Sequence, residues 1–364
     1  MDFPRTVEEI TPEWLTQVLR ENGAIDGASV SSVSIESFAD QGISSLVNRL
    51  LLEYSGPGKH GPASLFSKLA FENEAQRERQ TSIGVSNREV QFYRQLATTA
   101  GIVSPKSYFA EYDDSDGFLN ILLEDAGHLR TVDQSEDCSF EDADTALGSA
   151  AKMHARWWGD DRLNDFKWLI DVNDPLPKAI GVEAYNNSID KSMEILSEWA
   201  PASFESIARK YGGVINEIRD QIVKRPRTLV HGDYRLGNLL FNDSKDAVDP
   251  IVAFDWQNAG HGNVATDVSH FFIFNLDTEN RRRIEKDLID NHYRRLVDAG
   301  VTGLSKGEFE DDLRYGLFNI IGTFIFAAPR IAPMLSTDEG RKRVAAICKR
   351  FQTFVDWNVD ELMV

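Results

Sequence analysis

The chain has 364 residues, 42% of them hydrophobic and 27% charged, which is enough to bury a large core as one large domain or two lobes. A formal net charge of −19 argues against nucleic-acid binding, which relies on basic patches. Cys138 and Cys348 are the only cysteines; they make neither a metal-ligand spacing nor a disulfide framework, and they point to a reduced, cytoplasmic setting.

The N-terminus, Met1 to Ile10, is acidic and lacks the apolar core of a signal peptide. Thr11-Pro12-Glu13 is a helix-start signal, and Trp14, Leu15, Val18 and Leu19 follow at helical spacing. Val30 to Phe38 and Leu46 to Leu52 read as strands. Between them, Asp40 to Ser45 makes a hairpin that either only connects strands or covers phosphates with the backbone amides around Gly42, Ser44 and Ser45. Leu65 to Ala70 is a third strand with Lys68 in its middle. That lysine is either an exposed strand residue or the one that contacts nucleotide phosphates and pairs with a helix glutamate. Glu89 is the candidate partner, although Ser86-x-x-Glu89 also reads as a capping box. Glu72 to Gln80 is polar and predicts a loop or a helix start. A strand over 102–110, a turn at Asp113 to Gly117, and a buried strand from Phe118 ending in Glu124 and Asp125 complete this half.

Asp133 to Asp144 is acidic and loop-like, and leads into a helix whose apolar face carries Leu147, Ala150, His154 and Trp157. A histidine so placed reads as a satisfied core residue. Residues 171–204 are polar, broken by Pro175, Pro177 and Pro201, with a helix predicted from Val182 to Trp199; a helical pattern continues from Phe204 to Ile222. Two apolar runs then flank a polar turn carrying His231, Asp233 and Asn238, and a further run, Ile251 to Phe254, delivers Asp255. Two carboxylates and an amide brought together suit magnesium and a nearby hydroxyl, the requirement of phosphoryl transfer from a nucleotide. A loop at 259–263 precedes Thr266-Asp267, which reads as a helix cap. Helices over 279–299, 308–328 and 338–357 finish the chain. Leu317 to Ala328 is too short to span a membrane and reads as a buried helix.

His231-Gly-Asp233 followed by Asn238, then Asp255-Trp-Gln, then Gly262 and Asp267, resembles the motif set of the aminoglycoside phosphotransferases and their choline-kinase-like and ecdysteroid-kinase-like relatives. The resemblance covers nearly the whole chain. It implies an α+β, two-lobed protein-kinase-like fold. Residues 1–124 would form an antiparallel sheet lobe with a helix that binds nucleotide; residues 125–364 would form a larger, mainly helical catalytic and acceptor-binding lobe. It implies that Asp233 orients the acceptor hydroxyl and takes its proton, and that Asn238 and Asp255 hold magnesium on the phosphates. Lys68 would steady those phosphates with Glu89 aligning it, and Glu124 and Asp125 would lie at the hinge where backbone groups read adenine. His231 and Asp267 would support the catalytic loop, as would His154 from the helix beneath it. The implied cofactors are Mg2+ and ATP, with GTP as the alternative nucleotide.

The departures are informative. Protein kinases carry His-Arg-Asp, Asp-Phe-Gly and an activation segment ending in Ala-Pro-Glu; this chain has none of them, which favours a small-molecule acceptor. Two rival readings stand beside it, a nucleotide-binding pseudokinase and a metal-dependent hydrolase. The first expects a lost base or metal ligand, and the second a further histidine at ligand spacing.

Overall fold

The computed structural model describes residues 3–38, 45–133, 137–171, 175–244 and 246–363. They form two compact units. The first comprises Met1–Thr99, Val103–Arg130 and Val252–Asn258; the second comprises Ala100–Ile102, Thr131–Ile251 and Ala259–Val364.

In the first unit, Thr11 starts helix α1 (Pro12–Glu21) by accepting the Trp14 amide at 3.2 Å, and Pro12 sits in the first turn, where its missing N–H costs nothing. Leu15, Val18 and Leu19 join Leu50, Leu65 and Leu122 in one core. Strands β1 (Ser29–Ser37), β2 (Leu46–Ser55) and β3 (Ser64–Leu69) follow, then helices α2 (Glu74–Ser82) and α3 (Val85–Gln95), then β4 (Ser107–Tyr112) and β5 (Leu119–Glu124). The five strands form one antiparallel sheet in the order β1-β2-β3-β5-β4. Because β5 is inserted between β3 and β4, Leu119 to Leu123 are all buried, which explains a run without alternation. The polar stretch expected as a loop or helix start is α2, capped by Asn73. Ser86 and Glu89 make no capping box, because α3 already begins at Val85, after Gly84 at φ +70°. Glu89 is thereby left to act elsewhere. The sequence placed a boundary near Glu124; this unit runs on to Arg130 and takes back residues 252–258.

The second unit is mainly helical. It holds α4 (Phe140–Arg156), β6 (Ile170–Asp171), α5 (Pro175–Leu196), α6 (Phe204–Gly213), α7 (Ile215–Ile222), β7 (Thr228–Val230) and β8 (Leu239–Phe241). Then β9 (Ile251–Ala253) leads the chain back to the first unit, and β10 (Gly260–Gly262), α8 (Ala265–Asn275), α9 (Thr278–Asp298), α10 (Lys306–Ile331), α11 (Asp338–Lys349) and α12 (Gln352–Asp356) complete it. Ser139 caps α4, so the acidic residues from Glu141 to Asp144 lie in a helix rather than in the expected loop. α5 starts at Pro175, seven residues before the expected Val182, since proline is tolerated where the first-turn amides have no intrahelical partner. The pattern over 204–222 breaks at Val214 into two helices, and that over 338–357 breaks after Lys349. The expected loop at 259–263 is instead strand β10, antiparallel to β7 and parallel to β6. A side chain at Gly260 would come within 3.1 Å of the Ile170 carbonyl, which is why the pattern there looks like a loop. Leu317, Phe318, Ile321, Phe324 and Ile325 of α10 are buried as expected. Among the described residues no helix is long and apolar enough to cross a membrane.

Candidate active site

In the first unit, the β2–β3–β5 register places Lys68 between Val47 and Ile121. Its ammonium lies 2.6 Å from Glu89 Oε2 on α3 and 2.8 Å from Asp255 Oδ1. Burial works against the charge on Lys68, but the two carboxylates outweigh it and raise its pKa above the ordinary lysine value. Glu89 is 3% exposed; burial pushes its carboxyl up to about 6, with Asp255 adding to the rise and Lys68 opposing it.

Asp255 is set by its own segment. It is one of two non-glycine residues with positive φ among those described, at +65°, a conformation that costs about 1–3 kcal/mol and persists only where the surroundings impose it. Here the surroundings are α3 and the chain at Val103. The Ala253 amide donates to the Val103 carbonyl at 2.8 Å, Trp256 stacks on Phe92 with ring centroids 3.8 Å apart, and Arg88 Nη1 donates to the Gln257 carbonyl at 2.5 Å. Thus α3 holds both Glu89 and the segment that presents Asp255.

Of the phosphate-hairpin candidates, Gly42 and Ser44 lie outside the described residues. Ser45 is fully buried, and its hydroxyl has no hydrogen-bond partner among the described residues. At the expected hinge, Glu124 ends β5 and is exposed, with Oε2 accepting from the Lys106 amide at 3.3 Å. Asp125 binds within the protein: it accepts from Ser64 Oγ at 2.7 Å and from the Gly127 amide at 2.9 Å, and pairs with Arg49 Nε at 2.8 Å.

In the second unit the loop after β7 hangs on Asp267 of α8. This fully buried carboxylate accepts from the His231 amide through Oδ2 and the Gly232 amide through Oδ1, each at 2.8 Å, and from His154 Nε2 at 3.0 Å. Burial alone would raise its pKa, but these donors hold it below the ordinary carboxylate value. Asp267 therefore lies inside α8 as a brace and not as its cap; the cap position is Val264. His231 Nδ1 accepts the Asp233 amide at 3.3 Å. Asn275 Oδ1 accepts the Leu236 amide, and the Tyr234 hydroxyl donates to the Ala146 carbonyl of α4. Asp233 is left 17% exposed, with Arg235 Nε 3.0 Å and His270 Nε2 3.5 Å from Oδ1, and Asn238 Nδ2 donating to Oδ2 at 2.9 Å.

Arg235, His270 and Asn275 did not stand out in the sequence. Arg235 is two residues past Asp233 in the motif itself, and His270 is three past Asp267, on the same helix face. Burial lowers the pKa of His270, which keeps it neutral near pH 7 despite Asp233.

Among the described residues no three His, Cys, Asp or Glu side chains cluster as a metal cage. Each unit by itself offers an oxygen donor of the kind magnesium takes: in the second, Asn238 turns its Nδ2 to Asp233 and leaves Oδ1 without a hydrogen bond among the described residues, and in the first, Asp255 offers a carboxylate. Magnesium takes few protein oxygens and keeps waters and substrate phosphates as its other ligands.

Residues 41–301 match the ecdysteroid kinase-like family. A curated relative, the uncharacterized oxidoreductase dhs-27 of Caenorhabditis elegans, is 21% identical over 324 residues, 80% of this chain and 38% of the relative, so the chain spans about two fifths of that protein's length. Among solved structures, a choline kinase from Cryptosporidium parvum Iowa II is 9% identical with a TM-score of 0.56, covering 96% of this chain and 97% of that one. An amicoumacin kinase in complex with AMP-PNP, Ca2+ and Ami is 14% identical with a TM-score of 0.53, covering 93% and 92%. At such identities the likeness is one of fold: α+β and protein-kinase-like.

Proposed function

The chain belongs to the ecdysteroid kinase-like family, and from that premise we propose that it is an ATP-dependent kinase acting on a hydroxyl of a small molecule. The observation that carries this reading is Lys68, held 2.6 Å from Glu89 and 2.8 Å from Asp255: a buried cation between a helix carboxylate and a strained aspartate is the phosphate-handling arrangement of nucleotide kinases.

In this reading the acceptor oxygen attacks the γ-phosphorus, the bond from phosphorus to the β–γ bridging oxygen breaks, and ADP leaves. Asp233 orients the hydroxyl and takes its proton; Arg235 and Asn238 hold the carboxylate in one orientation for that task. Lys68 steadies the phosphates, and Glu89 keeps it in place. Asn238 and Asp255 would be the residues that hold magnesium, and that ion would supply neutralisation of phosphate charge. The backbone at Glu124 and Asp125 reads the base, and the residues from Gly42 to Ser45 cover the phosphates. We place the setting in the cytoplasm, since Cys138 and Cys348 make neither a disulfide framework nor a metal-ligand spacing in the sequence, and propose a small-molecule partner rather than nucleic acid or membrane.

The test is ADP release with a panel of hydroxyl compounds, ATP and GTP compared. Release that requires both magnesium and an added alcohol supports the proposal. Nucleotide binding without release across the panel would instead indicate a pseudokinase, and metal-dependent hydrolysis without nucleotide would indicate a hydrolase.

A further inference from the structure

Within the second unit, α5, α6, α7 and α10 enclose a cleft of about 290 Å³ that none of the residues proposed for phosphoryl transfer lines. Its walls are Tyr185, Tyr211, Phe318 and Phe326, and its polar groups include Arg219 and Asn319. Phe326 is 39% exposed and lies, with exposed Asn319 and Thr323, on the face of α10 that borders the cleft rather than on its buried face.

Two observations mark the cleft as more than a packing gap. First, Arg219 makes no hydrogen bond or ion pair through its side chain among the described residues, in a chain with 58 acidic residues against 39 Lys and Arg. Its near neighbour Arg209, by contrast, binds both Asp190 and Glu205. Burial draws the pKa of Arg219 below the ordinary arginine value, and the nearby Tyr211 and Asp220 only partly oppose it, as expected for a cation partly withdrawn from water that no carboxylate binds directly among the described residues. The Asn319 amide, one turn from Thr323 on the same wall, likewise makes no side-chain hydrogen bond among the described residues. Second, Gly181 and Gly322 stand inside α5 and α10, where glycine weakens a helix. Packing requires neither: a side-chain carbon at Gly322 would meet nothing within 4 Å, and one at Gly181 only Arg219 Nη1 at 3.8 Å. Gly316, earlier in α10, is a contrast, since a carbon there would lie 2.7 Å from the Ala265 carbonyl. Gly213 and Gly307 are helix glycines equally free of close neighbours, but only Gly181 and Gly322 border the cleft, where the lack of a side chain leaves its volume unfilled.

We propose that this cleft binds a small amphipathic monoanion, an aryl carboxylate of one or two rings. Its apolar body would lie against Tyr211, Phe318 and Phe326, and its carboxylate on Arg219 and the Asn319 amide. The volume is at the small end of ligand pockets, which run from roughly 300 to 1,000 Å³, and so limits the ligand to that size. One guanidinium and one amide match a single negative charge. A phosphate ester, doubly charged near neutral pH, would need further cations, and the described lining holds only Arg219. This assignment goes beyond the phosphotransfer reading and does not depend on it.

Calorimetric titration of the full chain with 2-naphthoate, and with neutral 2-naphthamide as the counterpart, tests it. The expected result is saturable binding of naphthoate at one site, about tenfold or more tighter than the amide, unaffected by saturating nucleotide. Arg219→Gln should remove that preference by lowering naphthoate affinity to the level of the amide. Gly322→Leu should abolish binding of both compounds while leaving the melting temperature unchanged or raised, because the added side chain enters open space. Absence of saturable naphthoate binding, displacement by nucleotide, or binding that survives both substitutions unchanged would overturn the proposal.

Discussion

Asp267 shows how much one buried carboxylate can carry. It holds the amides of His231 and Gly232 and the ring of His154, so the backbone that presents Asp233 is fixed from beneath. Replacement by asparagine turns an acceptor of three hydrogen bonds into a group that is partly a donor. Asp267→Asn should cost about 3–5 kcal/mol in urea unfolding. The sign of its pH dependence follows from its depressed pKa. Its contribution to stability is present above the unfolded carboxyl value, about 3.9, and is lost as pH falls through the lower folded value. The wild type should therefore lose melting temperature below about pH 4, and the variant should show a shallower acid limb. The carboxylates of the proposed chemistry should separate kinetically. Asp233→Ala should lower kcat by about 10²- to 10⁴-fold with nucleotide affinity retained, while Asp255→Ala should also weaken nucleotide binding in magnesium. Near-normal turnover by Asp233→Ala would remove that residue from the proposed role.

At the scale of elements, two helices do most of the positioning. α3 carries Glu89 toward Lys68 and provides Phe92 as the surface on which Trp256 stacks, so one helix sets both carboxylates around the lysine. α8 carries Asp267, His270 and Asn275, all of which reach the loop after β7 that presents Asp233. The close packing of α8 on α10 runs through Gly316, where a methyl group would press on Ala265 and Ser269 at 2.7 Å. Gly316→Ala should destabilise by about 1–3 kcal/mol, with kcat falling as α8 shifts. The same change at Gly322, where the space is open, should be neutral or stabilise by up to about 1 kcal/mol. Paired denaturant curves of the two variants would check this, and equal losses at both positions would refute the packing account.

For the whole molecule, the kinase reading makes nucleotide a thermodynamic partner of the fold. With AMP-PNP and magnesium at about 100 times Kd, unfolding free energy should rise by about 2.7 kcal/mol, and a chelator should remove most of that gain. Thermal melts with and without EDTA measure it; a nucleotide-induced shift indifferent to metal would count against the roles proposed for Asn238 and Asp255. The first unit includes residues 252–258, so the chain builds it from segments far apart in sequence. That return depends on pairings such as Ala253 to Val103, which no local pattern announces.

The sequence alone determined the features that depend on neighbours along the chain. Strand and helix periods, the cap at Thr11, the apolar run of α10 and the spacing of His231, Asp233 and Asn238 could all be read because side-chain direction repeats locally. Where local signals compete, only tertiary structure decided. Ser86-x-x-Glu89 reads as a cap until Lys68 is seen to hold the glutamate, and Ala259 to Asn263 reads as a loop until β7 and β6 pair with it. Asp267 reads as a cap until two backbone amides and a histidine converge on it. In each case a buried polar group must be satisfied, and its partner lies tens to more than a hundred residues away, beyond the reach of any local rule.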